Sequence, residues 1–375
     1  MDISDLKIGR EGTFVPPFKS NINIIKSYEN EGYDSIFFAD HILNWIPESI
    51  WTPDITDLAT VYPSPHLIYD VFAMMIVAAL NTKKIYLGTG VTEAFRRNPA
   101  VLAQTFLTLD ELSRGRAILG IGAGEKENTV PYGIKWEKPV SRLEEAVTII
   151  RKLWESDDLV NYDGNIWKLE NALLRLIPFK KGKFPPIWIA ARGNKMLDIT
   201  SRLGDGWLPI FLKPEIYKEK LMVLRRYAQK AGRDMDDITP AIILGVITDE
   251  DQEEIEKMLN NPITKNNLIP LYHEDFKPYG LSHPLGENMD GTLEFIPTHY
   301  NKESLLQIIE KIPNKMCHDF YLNGNPDEII SQIEKYGRVG AKHIILFNVS
   351  LLCGLKYIPR SNKCMRKIIA YFKNK

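Results

Sequence analysis

Two acid–base groups fall just beyond short apolar runs. Asp40-His41 follows Ile36-Phe-Phe-Ala39, and Glu125 follows Ala117-Ile-Leu-Gly-Ile121 after three spaced glycines. An imidazole at a strand end trades a proton near neutral pH, and a nearby carboxylate raises its basicity or fixes its tautomer. Trp45 either walls a flat ligand or packs beneath the loop. Gly120, Gly122 and Gly124 bare the backbone where a planar group can approach, with Glu125 and Asn128 as polar groups beside it. A tight strand-to-helix turn with a solvated glutamate accounts for the same residues, so two readings stand. A dinucleotide fingerprint is a poor match, because Glu125 occupies the place of its third glycine. Leu87-Gly-Thr-Gly-Val91 is a second strand ending in glycine, and Arg96-Arg97 beyond it suit carboxylate binding or helix capping better than phosphate reading. In Ile187-Trp-Ile-Ala-Ala-Arg-Gly-Asn194, a strand runs into the expected helix Lys195 to Leu203. Free N–H groups at a helix start bind phosphate, which makes Arg192, Gly193 and Asn194 a candidate cradle or an empty turn.

These residues need a scaffold that gathers strand ends. Six apolar runs, starting at Ile36, Ile85, Ala117, Ile187, Ala241 and His343, alternate with amphipathic stretches. Asn98-Pro99 opens one helix and Gly115 closes it; Ser141 with Glu144 reads as a capping box, and Asn325-Pro326-Asp327-Glu328 opens another helix. Alternating units with fully apolar strands predict a parallel sheet covered by helices. At 375 residues with no composition break, one (β/α)8 TIM barrel over residues 1–375 is the simplest architecture, a doubly wound open sheet being the runner-up. Three segments interrupt the alternation, about 44–66, 161–186 and 261–300. Long irregular insertions serve as lids or binding loops, and those that follow strand ends rise from the active-site face.

Composition removes several classes. Lys plus Arg total 47 against 48 Asp plus Glu, so no strong field invites nucleic acid or an anionic membrane. The apolar run Val71 to Leu80 is about half the length of a membrane span. Three cysteines without a CxxC pair, and no signal-peptide pattern, predict a cytoplasmic protein. His273, Glu274, His283 and His299 lack metal-ligand spacing, and no metal is expected. No GxSxG elbow is present. Val71 to Leu80 is apolar on nearly all sides, as a helix buried in a core or against a second copy is, and a homodimer is expected.

Asp40-His-Ile-Leu-Asn-Trp45, Arg97-Asn-Pro-Ala-Val-Leu-Ala-Gln104 and Arg114 to Glu125 together resemble the bacterial-luciferase-like superfamily. The likeness is closer to its members that use the 8-hydroxy-5-deazaflavin coenzyme F420, and closest to the phthiodiolone ketoreductase type. Pro131-Tyr-Gly-Ile-Lys-Trp136, Asn171-Ala-Leu-Leu, Gly280-Leu-Ser-His-Pro-Leu-Gly286 and Ile296-Pro-Thr298 carry it, over roughly Ile36 to Asn348. The resemblance implies a luciferase-like barrel with the deazaflavin in its mouth. It implies that Asp40 contacts the ring edge, and that His41, Trp45 and Glu125 line the reacting face. Gly90-Val91 matches a non-proline cis peptide of relatives. Thr92, Gly122, Gly124, Asn128, Ala190, Ala191, Arg192, Gly193 and Asn194 match cofactor contacts, and His283 is expected at the substrate. The implied reaction is hydride transfer between the deazaflavin and a carbonyl-type small molecule, with His41 handling the proton and Glu125 as an alternative acid. An FMN-dependent monooxygenase on the same barrel and a non-catalytic cofactor-binding barrel remain as alternatives.

Overall fold

Strands that are apolar on both faces need cover on both. In the computed structural model, which describes residues 5–12, 14–287 and 289–374, eight such strands close into a parallel barrel. They are β1 (Lys7–Gly12), β2 (Ser35–Phe38), β3 (Tyr86–Thr89), β4 (Ala117–Ile121), β5 (Ile187–Ile189), β6 (Gly206–Trp207), β7 (Thr239–Thr248) and β8 (His343–Asn348). β1 pairs with both β2 and β8, and β7 with both β6 and β8, which rules out the open sheet. Strand alternation sorts the side chains. Phe37, Ile118, Trp188, Ile243 and Ile345 meet inside the barrel, where Phe37 and Trp188 stack with centroids 5.4 Å apart. Ile36, Phe38, Leu87 and Leu119 turn outward and pack under the helices.

Six strands lie where the apolar runs predict them. The other two carry weak signals: β1 includes Lys7, Arg10 and Glu11, and β6 is only two residues long. The helix Pro99–Ser113 has Asn98 as its cap, with the Asn98 side chain accepting from the Ala100 N–H, and the chain leaves through left-handed Arg114 and Gly115. Asn325 and Glu328 form the reciprocal capping box of the helix Pro326–Arg338. Ser141 does not cap. Its helix begins two residues earlier, at Pro139, because proline suits the first helical position.

Two of the three insertions rise from the C-terminal ends of strands. Segment 44–66 follows β2 and segment 261–300 follows β7, and the two pack into a second apolar cluster that includes Ile46, Trp51, Leu58, Ile263, Leu268 and Phe295. Polar ties hold them: Asn266 Nδ2 donates to the Trp45 carbonyl at 3.0 Å, and just beyond the later segment Lys302 pairs with Asp54 at 2.7 Å. Segment 161–186 behaves differently. It leaves the C-terminal end of the helix Pro139–Glu155 and re-enters at β5, so it connects helix to strand and lines none of the mouth. The buried Glu145 carboxylate accepts from the Asn165, Ile166 and Trp167 N–H groups and fixes its hairpin (Val160–Asp163 with Lys168–Ala172) to that helix.

The first glycine after Ala117 serves strand packing rather than a ligand. A Cβ on Gly120 would lie 1.8 Å from the Thr89 carbonyl oxygen of the neighbouring strand. Gly120→Ala should therefore destabilise the barrel by about 3 kcal/mol or more, at the upper end for overpacking. Gly193→Ala, where a Cβ meets nothing within 4 Å, should leave thermal unfolding unchanged. Comparable melting temperatures for the two variants would contradict this account.

Candidate functional site

β2 ends at Phe38, which places Asp40 and His41 on the rim of the barrel mouth. Asp40 is buried and its carboxylate is fully committed. Oδ2 accepts from Thr92 Oγ1 at 2.7 Å and from Arg97 Nη1 at 2.6 Å, Oδ1 faces Arg97 Nη2 at 3.3 Å, and Arg96 lies 3.0 Å from Oδ2. Arg96 also donates to the Asp40 carbonyl at 2.8 Å. The two arginines bind a carboxylate, as their position suggests. Asp40 itself acts as a clamp between the ends of β2 and β3, with its backbone stretch on the cavity wall.

His41 stands in a polar nest. Asn128 accepts from the Ile42 N–H through Oδ1 at 2.7 Å, which turns its amide NH2 toward His41 Nδ1 (3.0 Å) and Glu127 Oε1 (3.3 Å). Nδ1 is then the acceptor, and the proton of the neutral ring sits on Nε2. Glu127 Oε1 lies 3.2 Å and Glu125 Oε2 3.6 Å from Nδ1. Trp45 meets the imidazole edge-to-face at 5.7 Å and donates its indole N–H to Glu127 Oε1 at 2.9 Å.

Burial decides the charge of this nest. It pushes Glu127 up to about 7. Glu125 is raised well above the usual carboxylate range, first by burial and then by repulsion from Glu127. The pair therefore holds a proton near neutrality. His41, Glu125 and Glu127 bring ligand-type atoms within 4.8 Å of one another. The Asn128 and Trp45 N–H groups aim at the same spot, however, and N–H donors repel a cation where they stabilise carboxylate oxygens.

A cavity of about 700 Å³ opens beside the nest. Gly90, Val91, Thr92, Gly122, Gly124, Glu125, Asn128, Ala190, Ala191, Arg192 and Gly193 all line it with Asp40, His41 and Trp45. The Gly90–Val91 peptide is cis, and Gly124 adopts φ +87°, open to glycine. Asn194 stands just behind the wall as the first residue of the helix Asn194–Leu203. No side chain caps that helix start, and Lys220, whose ammonium is lowered first by burial, reaches the Arg192 carbonyl at 2.9 Å. The Arg192 guanidinium is otherwise engaged: it pairs with Asp275 and stacks 4.6 Å over Tyr272, joining the mouth to the late insertion. The cradle is thus the backbone N–H groups at that helix start, with Lys220 holding the Arg192 carbonyl from outside the cavity lining.

His283, expected at the substrate, does not line the cavity. It is buried off the cavity, its Nε2 faces the Ile269 and Leu271 carbonyls at 2.9 and 3.1 Å, and Nδ1 accepts from the Leu285 N–H. Both nitrogens are used up in holding the insertion together. Sequence reasoning also missed two acids. Glu127 carries no pattern that separates it from a surface residue. Glu11, one residue before the end of β1, lines the cavity and is pushed up to about 8 by burial, with Arg10 opposing it and Glu125 adding repulsion. A strand-end position is its only signal, and the charges of β1 hide that strand.

Known proteins match this geometry over nearly the whole chain. A phthiodiolone/phenolphthiodiolone dimycocerosates ketoreductase of Mycobacterium tuberculosis is 38% identical over 325 residues, covering 86% of this chain and 85% of the relative. A 5,10-methylenetetrahydromethanopterin reductase of Archaeoglobus fulgidus is 30% identical over 344 residues, covering 91% and 92%. Among solved structures, an F420-dependent secondary alcohol dehydrogenase in complex with an F420-acetone adduct superposes with a TM-score of 0.73 at 22% identity, over 97% of this chain and 99% of that one. Residues 5–343 match the luciferase-like monooxygenase family, and the chain belongs to that family.

Proposed function

We propose that this chain is an oxidoreductase that moves a hydride between a reduced deazaflavin, coenzyme F420, and a carbonyl-type substrate. The observation that carries the reading is His41 at the mouth of a large cavity, with Nδ1 facing two carboxyls that hold a proton and Nε2 bearing its own. The names of the relatives, a ketoreductase, a reductase and an F420-dependent dehydrogenase, support the same chemistry. The residues fit such a cofactor: bare backbone at Gly90 and Gly122 leaves room for a planar ring, and the uncapped start of the helix Asn194–Leu203 suits a phosphate. When bound, a reduced deazaflavin supplies a hydride equivalent at its C5 carbon.

The protein's share is positioning and the proton. Reducing a ketone to an alcohol consumes one hydride and one proton. His41 donates from Nε2 to the developing alkoxide, and the Glu125–Glu127 pair refills the ring at Nδ1. Trp45 and Asn128 hold the ring in that orientation. We further assign a single barrel domain over residues 1–375 and a homodimer, supported by Ile76, Leu80 and Val101 exposed on neighbouring helices. Three free, buried cysteines support a cytoplasmic setting. Among the described residues no helix is long and apolar enough to cross a membrane.

Titrating the purified protein with F420 and with FMN side by side should give selective deazaflavin binding. A preference for FMN, with oxygen uptake, would favour a monooxygenase instead, and binding without turnover on any ketone would favour a carrier. His41→Ala should lower kcat about 10²–10⁴-fold, with the cofactor Kd changed no more than a few-fold. Parallel losses in both would remove its proton role. The raised Glu11 binds a proton in the folded state that it releases on unfolding, so its contribution is full below the ordinary carboxylate range and is lost as pH rises toward 8. Glu11→Gln should flatten the fall of stability between pH 5 and 8, by on the order of 2 kcal/mol at the upper end. Denaturant melts at both pH values check this; an unchanged slope would place Glu11 in water.

A further inference from the structure

Along β1, successive side chains face opposite ways. Glu11 points into the mouth, whereas Arg10 points outward beneath the helices Phe18–Glu31 and Tyr357–Lys373. Arg10 is 2% exposed, yet its Nε and Nη1 have no hydrogen-bond partner among the described residues. Its guanidinium lies 5.4 Å over the Tyr28 ring, and Tyr28 and Tyr33 both favour its charge. Two acids act on it. Glu31 faces Arg366 at 4.0 Å and also favours the Arg10 charge, and Glu11 is held protonated at neutral pH by its own burial. Burial opposes the Arg10 charge and Tyr28, Tyr33 and Glu31 more than restore it, so the cation persists while Nε and Nη1 stay without an acceptor.

The same cavity that opens at the mouth is also walled by Ile24, Tyr28, Met365 and Arg366 around Arg10. We infer that the space between the first and last helices is a binding site for a monocarboxylate with an apolar body, its carboxylate paired with Arg10. Nε and Nη1 sit on different edges of the guanidinium, and each can give a carboxylate oxygen one charge-assisted hydrogen bond. A single guanidinium with two unpartnered donors suits a monoanion better than a phosphate dianion. Ile24, Tyr28 and Met365 give an alkyl or aryl body an apolar wall. Arg10 and His41 line different parts of that one cavity, Arg10 on the side of the helix layer and His41 at the mouth, so the carboxylate end of this ligand is set apart from the reacting groups.

Octanoate, octanol and inorganic phosphate are the probes, titrated calorimetrically against the full chain. Octanoate should bind saturably, and octanol and phosphate should bind at least tenfold more weakly. Arg10→Met, which keeps an unbranched chain of similar length in the apolar layer, should weaken octanoate at least tenfold while the protein still unfolds cooperatively, which thermal unfolding verifies. Glu31→Gln, at a half-buried position, removes a like charge and should tighten octanoate several-fold. Octanol binding as well as octanoate, a preference for phosphate, wild-type affinity in Arg10→Met, or weaker binding in Glu31→Gln would each overturn the assignment.

Discussion

Two guanidinium groups share one buried carboxylate, and the catalytic end of the barrel is organised around that contact. Asp40 sits two residues past the end of β2, while Arg96 and Arg97 lie seven and eight residues past the end of β3. Drawing charges out of water is unfavourable unless every partner is in place, and breaking a buried pair from one side costs about 3–5 kcal/mol. The contact is consequently all or none. It fixes where the chain leaves the barrel, and His41 is the next residue. A family resemblance read residue by residue makes Asp40 a ligand contact, but its first duty here is to pin the loop on which the imidazole rides.

The acids beyond the clamp work by the opposite principle. Glu11, Glu125 and Glu127 gather from β1 and the loop after β4 without enough cations to balance them, so burial and mutual repulsion keep protons on them near neutrality. Such a cluster weakens the fold wherever it must ionise, which is the usual fate of groups retained for proton chemistry. Asn128 makes the cluster directional. Its carbonyl is claimed by the Ile42 N–H, its NH2 therefore faces Nδ1, and the imidazole presents Nε2–H outward. One backbone hydrogen bond thus sets the tautomer of a side chain it never touches.

Several groups with the right chemistry for a site are used as fasteners instead. His283 closes the late insertion on itself, Arg192 ties that insertion to the start of a barrel helix, and Glu145 binds the hairpin of segment 161–186. Each is buried or half-buried, and each satisfies backbone or charge that a long irregular segment would otherwise leave unpaired. The mouth gains its walls from the insertions, and the insertions hold their shape through these contacts.

Six strand positions, the closed barrel and most of the mouth were legible in the sequence, since apolar runs end where a parallel barrel presents its chemistry and glycines mark where a side chain would clash. What stayed hidden depends on neighbours far along the chain. β1 fails the apolar test because Arg10 serves the outer layer and Glu11 the mouth, and its charges read as a surface segment. Glu127 resembles any loop glutamate until Trp45, 82 residues earlier, donates to it. Ser141 beside Glu144 mimics a capping box because the pattern does not register the proline two residues before it. Gly120 shows the same limit from the other side: a bare backbone position predicts close approach, and only the register of β4 against β3 reveals that the approaching group is the Thr89 carbonyl rather than a ring. Sequence pattern therefore locates the site through its strand ends, while the identity of each partner, and with it the protonation state, is settled by which strands the barrel brings side by side.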